Sequence, residues 1–184
     1  MISRDDAITM LQEQGQEEAM VNHALESEAI MRGVADKLGR DVELWGLVGL
    51  LHDVDYEQTR DDPASHGLVG AQMLEGKLPD EAIRAIKAHN GEENGNPPQD
   101  ELDFALRASE SLTGLIHANA LVRPGGMDGM KPKSLKKKMK EKAFAANVRR
   151  ESIQECERFG LDLGEFFAVG IEAVSGVADQ VGLR

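Results

Sequence analysis

The chain has 184 residues, enough for one packed core and too few for two. Hydrophobic residues make up 41% but aromatics only 4%, so the core must be built from Leu, Ile, Val, Ala and Met, a palette that favours helices over strands. A formal charge of −12 argues against nucleic acid and anionic membrane as partners. Met1 leads into no leader-like segment, so a cytoplasmic location is expected, and the lone Cys156 leaves neither an internal disulfide nor a Cys-based zinc cluster.

Ser3, with Asp6 three residues on, marks the start of a first helix that Gly15 ends. A longer helix over 17–39 follows, with Met20, Ala24, Ser27, Met31 and Val34 at helical spacing and His23 beside that face. Asp41 caps a short helix over 42–52 that is apolar nearly all round and therefore central, and Gly46 and Gly49 would let another helix approach closely. A polar connection over 55–65 leads to a helix over 66–76. Pro79 opens another over 79–90, with acids in its first turn. The Gly-, Asn- and Pro-rich stretch 91–101 reads as a loop, 102–121 as a strong helix and 123–132 as a break. Helices over 133–159 and 162–178 close the chain, the last with Asp162 and Glu165 as a capping box. The expected fold is all-α, one compact domain over 1–184 with the helices of 132–180 packed on an earlier core.

The segment "LWGLVGLLHDVDYE" turns from apolar residues to His52, Asp53, Asp55 and Glu57 within a few positions. Ionisable groups at the end of a buried helix need compensation. His23, His66 and His89 also fall near helix ends or apolar faces. Singly, each reads as a hydrogen-bonded core histidine; together with the His52-Asp53 doublet they read as a metal centre, because imidazole and carboxylate suit Fe, Mn, Zn or Ni. A carboxylate beside an imidazole can also bridge two cations, as two-metal phosphate chemistry requires. On the 102–121 helix, Leu106, Glu110, Thr113 and His117 share a stripe, which turns Glu110 inward. Asp103 and His117 read as supporting or surface groups.

In "VNHALESEAIMRGVA", "LWGLVGLLHDVDYE" and "LRASESLTGLI", over roughly residues 20–120, the chain resembles the HD-domain superfamily of metal-dependent phosphohydrolases, and in particular its small HDIG-type members. The segments "HGLVGAQML" and "IKAHN" are similar to those proteins too. The resemblance implies an HD-type helical bundle with His23, His52 and Asp53 as metal ligands. His66 and His89 match the extra histidines of subgroups that hold two metals. The family's last ligand is an Asp where this chain has Glu110, whose longer side chain would ligate from a shifted position, bind through water or mark a weakened site.

The expected function is hydrolysis of a nucleotide or another small phosphate ester, with one or two divalent ions (Mn, Fe, Ni, Co or Zn) activating a water. Asp53 would anchor the metals. Asp55 or Glu57 would orient or deprotonate the water, or hold a ligand histidine in its tautomer, against the plainer reading of both as a solvated loop start. Lys87 and the basic run over 131–151, through Lys138, Lys142 and Arg149, are candidate phosphate contacts, although such a run is ordinarily a solvated helix face. Rival readings are an HD-type di-iron oxygenase and a noncatalytic metal- or nucleotide-binding module. No P-loop, dinucleotide fingerprint or GxSxG elbow is present. An oligomer is open, since faces buried against a partner look the same in sequence as faces buried internally.

Overall fold

Ser3 opens the first helix, α1 (Arg4–Glu13), by accepting the Asp6 N–H at 3.1 Å, and Gly39 closes the second, α2 (Glu18–Leu38), in the left-handed conformation. Asp41 then caps α3 (Val42–Leu51) through the Leu44 N–H at 3.0 Å. The computed structural model describes residues 1–184, and every regular element in it is helical: after α3 come α4 (Tyr56–Thr59), α5 (Leu68–Leu74), α6 (Asp80–His89), α7 (Gly91–Asn94), α8 (Glu101–Leu121), α9 (Pro132–Lys138), α10 (Arg150–Gln154), a 3-10 turn (Glu155–Phe159) and α11 (Leu163–Val177).

The centre of the bundle is α2, which packs on α3, α8 and α11, while α6 lies along α8. Residues Leu44 to Leu51 are all buried, as a helix without a polar face requires. Gly49 makes the α2–α3 crossing possible, because a Cβ there would stand 2.7 Å from the Ser27 carbonyl oxygen. One apolar cluster runs from Ala7 on α1 to Leu183 near the C-terminus. Asp103 belongs to this interior. It is fully buried, accepts Arg84 Nε at 3.1 Å, and forms a capping box with Asp100 at the start of α8.

Three expectations are corrected. The 66–76 helix starts only at Leu68, because Gly67 takes a left-handed φ of +81° and gives its N–H to Asp55 instead of to a helix. The 91–101 loop contains the helical turn α7. The 133–159 helix is broken: it stops at Lys138, and turns follow to Val148. Arg150 accounts for the break, since its guanidinium donates to the carbonyls of Glu141, Phe144, Ala145 and Val148, groups that a continuous helix would have used internally. The expected inward stripe therefore dissolves: Leu135 is buried, but Ala143 and Ala146 are exposed. The turns bring Val148 against α8, where a Cβ on Gly114 would lie 3.0 Å from Val148 Cγ2.

Candidate metal centre

Four helix ends and turns converge at one point. His23 comes from the second turn of α2 and His52 from the C-cap of α3, with Asp53 next in the chain. His66 stands in the turn before α5, and His89 is the last residue of α6. Asp53 sits between them. Its Oδ2 lies 3.3 Å from His52 Nε2 and 3.7 Å from His23 Nε2; its Oδ1 lies 3.1 Å from His66 Nε2 and 3.3 Å from His89 Nε2. The imidazoles also meet in pairs, His23 with His52 at 3.2 Å and His66 with His89 at 3.0 Å, Nε2 to Nε2. Two groups of three potential ligands thus share one carboxylate.

Hydrogen bonds on the far side of the rings fix what Nε2 can be. His52 Nδ1 donates to the Gly49 carbonyl at 2.9 Å and His89 Nδ1 to the Ile86 carbonyl at 2.5 Å. A carbonyl can only accept, so each Nδ1 carries a proton, and in a neutral ring Nε2 presents a lone pair. His66 Nδ1 faces Asp55 Oδ1 at 3.0 Å with the same consequence. Lone pairs and carboxylate oxygens turned toward each other at these distances need a proton or a cation between them. A metal fits the spacing: two ligands at right angles on bonds of about 2.1 Å lie roughly 3.0 Å apart. The electrostatics carry the same demand. Burial alone would raise the Asp53 carboxyl, but His52, His66 and His89 hold it well below the usual carboxylate range. Burial alone would lower His66, yet its hydrogen bonds to Asp53 and Asp55 carry it up to about 10. Burial, and then His52 beside it, push His23 down to about 4.

Asp55 is fully buried behind His66, and both its oxygens are engaged: Oδ1 by His66, Oδ2 by the N–H groups of Gly67 at 2.9 Å and Gly70 at 2.7 Å. It does not line the cleft, and its contact with Nδ1 is the geometry of a group that sets the His66 tautomer rather than of one facing a water there. Glu57 points to Arg60, 3.2 Å away, and does not line the cleft above Asp53.

That cleft has a volume of about 330 Å³, with His23, Asp53, His66, His89, Glu110 and Arg149 on its walls. Glu110 stands there outside the two groups of three, one oxygen taking the Ser111 hydroxyl at 3.1 Å, and burial pushes its carboxyl up. Of the four candidate phosphate contacts only Arg149 reaches the cleft, its guanidinium 3.4 Å from Asn90 Oδ1 and 3.3 Å from Glu92. Lys138 pairs with Glu141 at 2.7 Å and covers the Phe144 ring. Lys142 is exposed, and Lys87 lines a separate surface recess with Arg84. An adjoining recess shares His66, Asn90 and Arg149 with the cleft and adds Tyr56 and Arg60.

Arg107 is the residue that sequence reasoning passed over. Buried on α8, it donates to Glu92 at 2.9 Å, to Glu155 at 2.9 Å and to the Ala88 carbonyl at 3.2 Å, and so fixes the end of α6 that carries His89. An arginine inside the otherwise apolar run "FALRAS" was the available signal.

The HD domain family matches residues 20–148. Among curated proteins, ribonuclease Y of Desulfotalea psychrophila is 31% identical over 60% of this chain and 20% of its own length. Ribonuclease Y of Lawsonia intracellularis is 26% identical over 88% of this chain and 29% of its own, and that of Thermosipho melanesiensis 34% identical over 44% and 16%. The chain thus spans less than a third of the length of these relatives. No solved structure gives a significant match. These relatives overturn the expectation that charge argues against nucleic acid as a partner, since by name they are ribonucleases. The physical error lay in arguing from net charge: exposed charges are largely screened beyond about 10 Å, so an overall −12 does not decide what a cleft with Arg149 on its wall can bind. No helix is long and apolar enough to cross a membrane.

Proposed function

The chain belongs to the HD-domain family of the metal-dependent phosphohydrolase superfamily, and on that premise we propose that it hydrolyses phosphodiester bonds in RNA or short oligoribonucleotides. The observation that carries the reading is the meeting of four imidazole Nε2 atoms on the two oxygens of Asp53 at the floor of a cleft rimmed by Arg149. His23, His52 and Asp53 would hold one divalent ion and Asp53, His66 and His89 a second, with Glu110 the further carboxylate within the same walls. When bound, such ions polarise a phosphoryl group and make water a stronger nucleophile at neutral pH. The chain's own residues do the rest. Asp55 and the carbonyls of Gly49 and Ile86 keep three histidines turned with Nε2 inward. Arg149 offers a guanidinium to the phosphate's outer oxygens. A diester suits the site better than a small monoester, because the recess with Tyr56 and Arg60 continues from the cleft and gives the flanking nucleotide a ring face and a cation. The proposal takes residues 1–184 as one functional unit, in which the segment after α9 supplies Asn147, Val148 and Arg149 to the cleft.

The test begins with moles of each transition metal per chain in protein purified without chelator. Hydrolysis of an end-labelled oligoribonucleotide is then followed before chelation, after it, and after restoring Mn, Fe or Zn. Two ions per chain and a reversible loss of cleavage are expected. Cleavage that survives complete metal removal, or that persists in an Asp53→Ala variant, would overturn the proposal.

A further inference from the structure

A second cavity, of about 610 Å³, shares His23 and Gly114 with the metal cleft. Its walls are largely apolar, with Met20, Ala118, Leu121 and Val181 among them, and Leu121 stands 66% exposed, one of the few large apolar side chains left in water. One polar device is built into this lining. His117 Nδ1 donates to Glu26 Oε1 at 2.8 Å; Glu26 is fully buried, and its Oε2 has no hydrogen-bond partner. A carboxylate is costly to bury in this way unless a cation answers it. The Glu26 carboxylate, accepting from Nδ1, raises His117, and the protonated ring, its Nδ1 engaged, has Nε2–H left to donate.

We propose that this cavity is a nucleoside subsite: the base next to the scissile phosphate lies against the apolar walls and accepts the Nε2–H of His117, which Glu26 positions. The inference rests on the phosphodiesterase reading above. A base is a flat apolar body with polar groups on its edge, which matches apolar walls that carry the His117 ring and the Asn22 amide. A phosphate does not match, since Glu18 and Glu26 are the carboxylates of this lining and His117 is the only cation besides the candidate ligand His23. An alkyl chain would leave the His117–Glu26 pair unanswered.

The test is calorimetric titration of the metal-loaded chain with adenosine and cytidine, with ribose and inorganic phosphate as probes lacking a base. Saturable binding of both nucleosides is expected, weakened about tenfold by Ala118→Trp, which fills the cavity, and by His117→Ala. Ribose and phosphate should not compete. In turnover, either variant should reduce kcat/KM for a dinucleotide at least ~tenfold more than for methyl p-nitrophenyl phosphate, chiefly through KM. No saturable nucleoside binding, binding that both variants leave intact, or displacement by phosphate would overturn the subsite. Should Ala118→Trp fail to fold, the half-exposed His117 carries the test. If the wild type cleaves no diester, the phosphodiesterase reading fails by itself, while nucleoside binding lost in the variants still upholds the subsite.

Discussion

Replacing Asp55 by Asn changes almost no volume but reverses one hydrogen bond. The Gly67 and Gly70 N–H groups are fixed donors on one side of the carboxylate, so the oxygen of the introduced amide must turn to them. Its NH2 group then faces His66 Nδ1, which can no longer donate. The ring answers by moving its proton to Nε2, the atom 3.1 Å from Asp53 and 3.0 Å from His89 Nε2, where a metal would bind. Removal of such a supporting carboxylate typically costs ~10- to 100-fold in metal affinity, which is roughly 1.4–2.8 kcal/mol. The loss should fall on the ion of the His66–His89 side, with the His23–His52 side affected less. Titration calorimetry with Mn or Zn would read the affinities, and nitrogen-15 spectra of the imidazoles would read the tautomer. An Asp55→Asn protein that binds both ions as tightly as the wild type, with His66 still protonated on Nδ1, would refute the reasoning.

Arg149→Ala should lower kcat/KM for an oligoribonucleotide by about ten- to a hundredfold, mostly through KM, while metal content stays at the wild-type value; an unchanged KM would remove Arg149 from phosphate binding. Gly49→Ala should destabilise the fold by about 1–3 kcal/mol in urea titrations despite alanine's better helix propensity, because the new Cβ meets the Ser27 carbonyl at 2.7 Å. Equal or greater stability would contradict the close crossing of α2 and α3. For acid stability, burial alone would raise Asp55, but its hydrogen bonds from His66, Gly67 and Gly70 hold it below the ordinary value. A group lowered on folding contributes stability above its unfolded pKa of about 3.9 and loses it as pH falls toward the folded one. The urea midpoint of the wild type should therefore fall more steeply below about pH 4 than that of Asp55→Asn, and parallel curves would count against the carboxylate's role.

The helices that carry the site were legible because their signals are local. Ser3, Asp41 and the Asp162–Glu165 box each cap the helix they announce, and the unbroken apolar run of α3 could only be central. The candidate ligands were legible as a set for a different reason: burying His and carboxylate at the ends of apolar helices is costly unless they serve one another or a cation. What escaped was decided by tertiary contacts. Nothing near Lys138 says that Arg150 will take the carbonyls of the following turns and break a lysine- and alanine-rich helix. Asp55 and Glu57 look alike in sequence, yet one is fully buried behind His66 and the other faces Arg60. Arg107, alone in an apolar stretch, shows its use only once Glu92 and Glu155 are brought to it.

The residues around Asp53 come from α2, the end of α3, the turn before α5 and the end of α6, so unfolding scatters them along the chain. Any ion they grip is held by the native state and scarcely at all by the unfolded one. Such a ligand at a hundred times its dissociation constant adds about 2.7 kcal/mol to stability by mass action alone, a large share of what a domain of this size possesses. The helices also share one continuous apolar cluster, from Ala7 to Leu183, and a bound ion would add to what that cluster contributes. On the proposed reading their durability becomes conditional on supply: under metal starvation the same chain would open sooner, exchange its amides faster and present more cleavable backbone to proteases, so that its abundance would follow the ion that its proposed chemistry uses.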